Sequence, residues 1–82
     1  MENITVPVYP LDTVTKNVAR NIRRAARAKH LTQKELANMT GLTECTLSRY
    51  MSGKYLPKGN ALMSISIALE VSTDWLYFNQ EN

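Results

Sequence analysis

Apolar residues recur every three to four positions early in the chain, which predicts an amphipathic helix. The members of this stripe are Val14, Val18, Ile22, Ala25 and Ala26. Asp12 or Thr13 is expected to cap the helix, which should run to about Lys29. The basic residues off the stripe should face solvent or a polyanionic partner: Arg20, Arg23, Arg24 and Arg27.

A capping box predicts the start of a second helix. Thr32 can accept a hydrogen bond from the backbone of Glu35, whose side chain can bond back to Thr32. We expect this helix to run from Gln33 to about Met39. Gly41 then suits a turn that requires a positive φ.

A third helix follows at once. Thr43 is the expected N-cap, the helix should run from Glu44 to about Ser52, and Gly53 should end it. Ala37 is small enough for the two helices to cross closely there. The inward positions of the crossing are Leu36, Leu42, Leu47 and Tyr50. This spacing predicts a helix-turn-helix, and therefore DNA as a ligand.

Residues 61–70 fit two interpretations. Ser64 and Ser66 alternate with apolar residues, as in a strand, whereas a helical stripe is formed by Leu62, Ile65 and Leu69. Because a lone strand would lack a pairing partner, we predict a helix. Ser72 should cap a last short helix from Thr73 to about Phe78. The expected fold is therefore all-α, with five helices.

The two ends of the chain differ from its centre. Residues 1–11 contain a strand-like segment from Ile4 to Tyr9, but Pro7 and Pro10 exclude a central strand. We expect a short extended arm that pairs with its copy or packs on the first helix. The predicted domain then spans residues 12–79, and residues 80–82 form a tail.

Positive charge is concentrated in the middle of the chain. All ten Lys and Arg residues lie between Lys16 and Lys58, with only Glu35 and Glu44 as acids, for a local charge of +8. The flanks carry −5, which accounts for the net +3. A charged run is often only a solvated face, but beside a helix-turn-helix it favours phosphate binding.

Composition limits the other classes of function. The 82 residues suffice for one domain, Cys45 has no disulfide partner in the chain, and no signal peptide or membrane span is evident. We therefore expect a cytoplasmic protein. No metal-ligand cluster, cofactor motif or catalytic set is recognisable, and His30 reads as a helix-end residue. An enzyme is not expected, and neither is a small-molecule ligand.

The chain resembles the Cro/repressor helix-turn-helix family of phages and bacteria, the xenobiotic-response-element class of regulators. The resemblance covers roughly residues 14–78 and is carried by five segments: Ile22-Arg23-Arg24, Leu31-Thr32-Gln33-Lys34-Glu35-Leu36-Ala37, Gly41-Leu42 with Leu47-Ser48-Arg49-Tyr50, Ser52-Gly53-Lys54 with Pro57, and Ala68-Leu69 with Val71-Ser72 and Asp74-Trp75-Leu76. It implies a compact five-helix, lambda-repressor-like domain that binds operator DNA.

Two positions depart from the family pattern. The family commonly pairs an arginine late in helix one with a glutamate at the end of the recognition helix, where this chain has Ala26 and Met51. We predict an apolar contact between these two residues instead. The family often has glycine where Glu70 stands, so the end of helix four should differ or finish in a 3₁₀ turn.

The resemblance implies roles for residues around the third helix. Gln33 should bond a phosphate and brace the recognition helix, and Thr43 can cap it while reaching a phosphate. Lys54, Lys58 and Asn60 should grip the DNA backbone. The exposed side of the recognition helix should enter the major groove with Glu44, Cys45, Thr46, Ser48 and Arg49.

Several of these residues keep two interpretations. Arg49 can read guanine or contact a phosphate. Glu44 can accept from cytosine or only favour the positive end of its helix. Cys45 and Thr46 can contact thymine methyl groups, although Cys45 could instead sense oxidation.

The last helix and the function also have alternatives. Trp75 and Phe78 can form a core lid or a two-fold dimer contact, since dimers read two half-sites. The leading function is a phage-type or prophage-type repressor that occupies a palindromic operator as a homodimer. The alternative is an antitoxin-like or other protein-interaction subunit whose DNA binding is secondary.

Overall fold

Five helices make up residues 10–80, the part of the chain that this computed structural model describes. They are α1 (Leu11–Ala28), α2 (Gln33–Thr40), α3 (Glu44–Ser52), α4 (Gly59–Leu69) and α5 (Thr73–Phe78). The described residues contain no strand, so the all-α prediction is confirmed and residues 61–70 are helical but for Glu70. The predicted arm contact of Ile4 to Tyr9 and the tail residues 81–82 lie outside the described residues.

One apolar core joins all five helices. Its fully buried members come from each helix in turn: Val18 and Ile22, Leu36, Leu47, Ile65 and Leu69, and Leu76. Burying one such side chain stabilises the fold by about 1.5–3 kcal/mol. Leu42 and Tyr50, predicted to face inward, are partly buried against this core. The stripe predicted for α1 is therefore confirmed, with Val14 at its partly buried edge.

Side-chain caps begin three of the helices as predicted. Thr32 and Glu35 form the full capping box of α2, with bonds of 2.8 and 3.1 Å. Thr43 accepts from the Thr46 N–H at 3.1 Å, and Ser72 accepts from the Trp75 N–H at 3.0 Å. Each cap satisfies a backbone donor that the first helical turn leaves unpaired.

The predicted start of α1 was wrong. The helix begins at Leu11, and Pro10, rather than Asp12 or Thr13, occupies the N-cap position without a side-chain cap. Proline fits because its φ of −57° suits a helix boundary, and its carbonyl accepts the Val14 N–H at 3.0 Å. The Asp12 carboxylate lies in the first turn and pairs with Lys16 at 3.3 Å.

Two helices end at residues that adopt a conformation usually left to glycine. His30 after α1 and Glu70 after α4 have φ values of 58° and 59°. In both cases the next amide donates back into the helix, Leu31 to the Ala26 carbonyl and Val71 to that of Ser66. This is the Schellman pattern. Glu70 thus adopts a left-handed conformation that favours glycine, and its carboxylate pairs with Lys29 at 2.8 Å.

A buried asparagine connects α1 to the end of α5. The side chain of Asn21 is fully buried, and its Nδ2 donates to the carbonyls of Leu76 at 2.8 Å and Asn79 at 3.0 Å. Its Oδ1 accepts from the Asn79 side-chain amide at 3.1 Å. Asn17 adds a bond to the Tyr77 carbonyl. These donors satisfy carbonyls that the last turn of a helix leaves without intrahelical partners.

Arg20 belongs to the same connection, which corrects the prediction that it faces solvent or DNA. The side chain is partly buried, and its guanidinium donates to the Asn17 side chain and to the Asn79 carbonyl, the latter at 3.0 Å. Its position one turn from Asn17 and next to Asn21 brings it to α5 rather than to solvent. Arg23 and Arg27 are exposed as predicted.

We predict that Asn21→Leu lowers the free energy of unfolding by about 2–3 kcal/mol. Leucine has a similar volume but leaves the α5 carbonyls without their buried donor, which is the costly way to lose a hydrogen bond. Urea unfolding of the purified protein measures the change. Asn79→Ala is the comparison and should cost less, since it removes the donor to Asn21 Oδ1 but leaves the carbonyls of Leu76 and Asn79 their buried donor. Equal stability of Asn21→Leu and the parent would contradict this role.

Candidate nucleic-acid interface

The turn between α2 and α3 is built from three consecutive residues. Thr40 Oγ1 donates to the carbonyls of Leu36 at 2.9 Å and Ala37 at 3.1 Å, which closes the last turn of α2. Gly41 follows with φ of 77°, and its N–H donates to the Ala37 carbonyl at 3.0 Å. The chain then turns, and Leu42 packs on the core. This local geometry sets the start of α3.

The exposed side of α3 carries most of the predicted contacts. Leu47 is fully buried, whereas four of the predicted contacts are exposed: Glu44, Cys45, Ser48 and Arg49. With about 3.6 residues per turn, Cys45, Ser48 and Arg49 lie away from the position that the core fixes, and Glu44 is exposed at the start of the helix. Thr46 is only partly buried, and its Oγ1 accepts from the Thr43 hydroxyl at 2.9 Å. A phosphate contact by Thr43 would have to replace that bond.

Gln33 joins the two helices of the unit. Its side chain is partly buried, and Nε2 donates to the carbonyl of Glu44, the first residue of α3, at 3.4 Å. An amide nitrogen carries two N–H groups, so the second remains for a phosphate oxygen. Glu44 itself lies in the first turn of α3, where a carboxylate favours the positive end of the helix.

The loop after α3 brings an unpredicted residue to the site. The Arg49 guanidinium carbon lies 5.8 Å from the ring centroid of Tyr55, within cation–π range. Both side chains line a shallow groove of about 340 Å³ together with Thr46, Tyr50, Leu56 and Lys58. Sequence reasoning missed Tyr55, although its place in the basic segment from Lys54 to Lys58 was an available signal.

The residues predicted to contact the DNA backbone lie in or next to the loop that lines this groove. Lys54 and Lys58 are exposed at the two ends of the loop, and Asn60 is exposed in the first turn of α4. Within residues 10–80, the ion pairs are those of Lys16 with Asp12 and Lys29 with Glu70, both involving α1. The positive charges of Arg49, Lys54 and Lys58 lie outside these pairs, so acids in the described part of the chain do not neutralise them.

The end of α3 is attached to α1 by a bond that the sequence did not suggest. Arg23 donates from its guanidinium to the carbonyl of Met51. Ala26 is buried in the core, and Met51 packs partly against that core, so the positions of the family's ion pair are apolar here. A direct contact between Ala26 and Met51 stays a prediction. Arg23, one helical turn before Ala26, connects α1 to α3 through its bond to the Met51 carbonyl.

The two residues predicted for dimerisation lie on α5, apart from the exposed face of α3. Trp75 is partly buried against the core. Phe78 is 57% exposed and lines a groove of about 760 Å³ between α1, the end of α3 and α5. The structure therefore places only Phe78 largely on the surface.

Residues 10–80 show neither a metal-binding cluster nor a membrane-spanning helix. No group of three or more His, Cys, Asp and Glu side chains there is arranged to hold a metal ion. None of the five helices has both the length and the apolar character needed to cross a membrane.

Comparison with known proteins identifies the family. Residues 22–76 match the family model described as Helix-turn-helix (HTH_3). The chain is 32% identical over 62 residues to YqaE of Bacillus subtilis (strain 168), named an uncharacterized HTH-type transcriptional regulator. The alignment takes in 76% of this chain and 53% of that relative, so the chain spans about half of its length.

Solved structures share the fold at low sequence identity. The DNA-binding domain of the P22 C2 repressor superposes with a TM-score of 0.71 at 24% identity, over 82% of this chain and 93% of that one. The restriction-modification controller protein C.AhdI of Aeromonas hydrophila gives 0.72 at 21% identity, over 77% and 96%. The chain belongs to the helix-turn-helix family and shares its five-helix fold with these repressor and controller proteins.

We predict that the capping box makes stability depend on acid pH. The Thr32 N–H bond to the Glu35 carboxylate, helped by the Thr32 hydroxyl, lowers the pKa of Glu35 below its ordinary 4.5. A carboxyl whose pKa is lowered by folding stabilises the protein fully above its unfolded pKa, and this contribution is lost as the pH falls through the folded pKa. Between about pH 6 and about pH 3, a range that spans the ordinary glutamate pKa, Glu35→Gln should therefore lose less stability than the parent. Thermal unfolding measures the difference.

Glu70 supplies the comparison for this measurement. The hydrogen bond and the charge of Lys29 lower the pKa of Glu70 as well, so Glu70→Gln should remove a second share of the acid dependence. The double variant should be the least sensitive of the four proteins. An acid dependence that is the same in all four would show that neither carboxylate is responsible.

Proposed function

We propose that the protein is a sequence-specific transcriptional repressor that occupies a palindromic operator as a homodimer. The single observation that carries the proposal is the face of α3 opposite the buried Leu47, where Cys45, Ser48 and Arg49 are exposed together. A recognition helix needs such a face, since its side chains must reach base edges in the major groove. The proposed activity is binding alone, without a chemical step.

The residues of the site divide into readers and anchors. Arg49 is the proposed base contact, because a guanidinium matches guanine O6 and N7 with two hydrogen bonds. Cys45 and Thr46 present small groups to thymine methyls, and Ser48 a hydroxyl to either kind of edge. Glu44 contributes through the N-terminus of α3 rather than through a base.

The anchors surround the reading face and contact phosphates. Gln33 has one amide N–H committed to α3 and one for the backbone of the DNA. Lys54 and Lys58 carry exposed charge at the ends of the adjoining loop, with Asn60 beside them. Phosphate contacts fix register and orientation but carry no sequence information directly. This arrangement gives affinity from the loop and α2, and specificity from α3.

Dimerisation is proposed through α5. The domain presents one recognition helix, whereas a two-fold dimer reads two half-sites and multiplies their specificity. Phe78 is the exposed aromatic residue of α5, and its neighbour Tyr77 lies with its ring centroid 5.9 Å away. Phe78→Ser should therefore weaken binding to a two-half-site operator more than to an isolated half-site.

Selection from a random duplex pool at about 0.15 M salt tests the function. We expect enrichment of an inverted repeat with about 10 bp between half-site centres. Arg49→Ala should relax the preference at one base pair of each half-site, by the about 1–3 kcal/mol that a bidentate contact is worth.

Lys54→Ala is the matched control from the same surface. If Lys54 contacts a phosphate, this variant should bind all sequences more weakly and lower the salt slope by about one, with the preferred sequence unchanged. If Arg49→Ala instead weakens binding to all sequences alike and leaves the preferred sequence unchanged, Arg49 contacts a phosphate rather than a base. Failure to enrich any sequence would contradict the repressor proposal and direct the search to a protein partner.

A further inference from the structure

The cation–π contact between Arg49 and Tyr55 bears on how the interface reads DNA. The ring is 55% exposed and lies in the loop directly after α3, with the Arg49 guanidinium carbon 5.8 Å from its centroid. We propose that Tyr55 is a positioning residue that holds the Arg49 guanidinium in the orientation in which it meets a base. The DNA part of this inference rests on the proposed function, whereas the contact itself belongs to the free protein.

The cation–π contact and base recognition place different demands on the guanidinium. An aromatic ring attracts the positive charge through the face of the ring, and this attraction needs no hydrogen bond. The five N–H donors of arginine fan out in the guanidinium plane, so a ring to one side of the group leaves donors that match guanine O6 and N7. Tyr55 can therefore hold Arg49 without competing for its hydrogen bonds.

The ring is attached to the rigid part of the fold. Leu56, the next residue, packs partly against the core, and Pro57 is fully buried. Arg49 lies on α3, two residues after the fully buried Leu47. Because both members of the pair are connected to buried neighbours, the core sets where their backbones lie, and the cation–π contact brings the two side chains together. A long arginine side chain held in this way loses less rotamer freedom when it binds DNA.

The free protein provides the first arm of the test. Nuclear magnetic resonance of the Arg49 Nε–H group reports its order and its position relative to the ring. Tyr55→Leu should shift this resonance and lower its order, while Tyr55→Phe, which keeps the ring and removes the hydroxyl, should preserve both. Thermal unfolding is expected to be the same for both variants and the parent, since the ring is largely exposed. An unchanged Arg49 signal in Tyr55→Leu would overturn the proposal.

Binding to selected duplexes provides the second arm. Tyr55→Leu should lower discrimination at the base pair read by Arg49 by about two- to fivefold, which corresponds to the ~0.5–1 kcal/mol of an exposed cation–π contact. Tyr55→Phe should restore it. In an Arg49→Ala background, Tyr55→Leu should cause no further loss. An equal loss there would overturn the proposal, because Tyr55 would then act on the DNA by itself.

The two arms separate this inference from the proposed function. If the parent protein selects no duplex, the repressor proposal fails, and the free-protein signal still decides whether Tyr55 holds Arg49. If the parent selects a duplex and Tyr55→Leu leaves discrimination intact, the positioning role is overturned while the repressor proposal stands.

Discussion

The burial of Leu47 is the contact on which the proposed interface depends. Its side chain is fully buried in the core, which sets the rotation of α3 about its own axis. With about 3.6 residues per turn, that one constraint decides that Cys45, Ser48 and Arg49 are exposed. Gln33 and the Arg23 bond to the Met51 carbonyl then hold the two ends of α3. The reading face is thus a consequence of core packing.

α1 packs against α3, α4 and α5, and so connects the recognition helix α3 to the last two helices. One face places Val18 and Ile22 in the core, and the adjoining positions donate from Asn17, Arg20 and Asn21 to the carbonyls at the end of α5. A helix of six residues is too short to be stable by itself in water. The polar connection and the burial of Leu76 therefore stabilise α5 in addition to its own backbone hydrogen bonds, which also fixes the position of Phe78.

Local rules predicted the starts of α2, α3 and α5, missed the start of α1, and predicted the long-range polar contacts poorly. Thr32, Thr43 and Ser72 act over three residues, so their caps can be read directly from the sequence. Arg20 was placed wrongly because its partner, the Asn79 carbonyl, is 59 residues away. Tyr55 was missed for a related reason, since its contact with Arg49 depends on the path of the loop. The reader and anchor roles themselves stay proposals.

Amide chemical-shift mapping tests most directly which surface of the protein meets DNA. The measurement adds a duplex that carries a single selected half-site, so that dimerisation through Phe78 is not required, to isotope-labelled protein at about 0.15 M salt and follows each backbone amide. The account predicts the largest changes at Gln33, in residues 43–49 and in residues 54–60, with small changes around the groove between α1 and α5 that Phe78 lines. The largest changes in that groove, with α3 unaffected, would contradict the account.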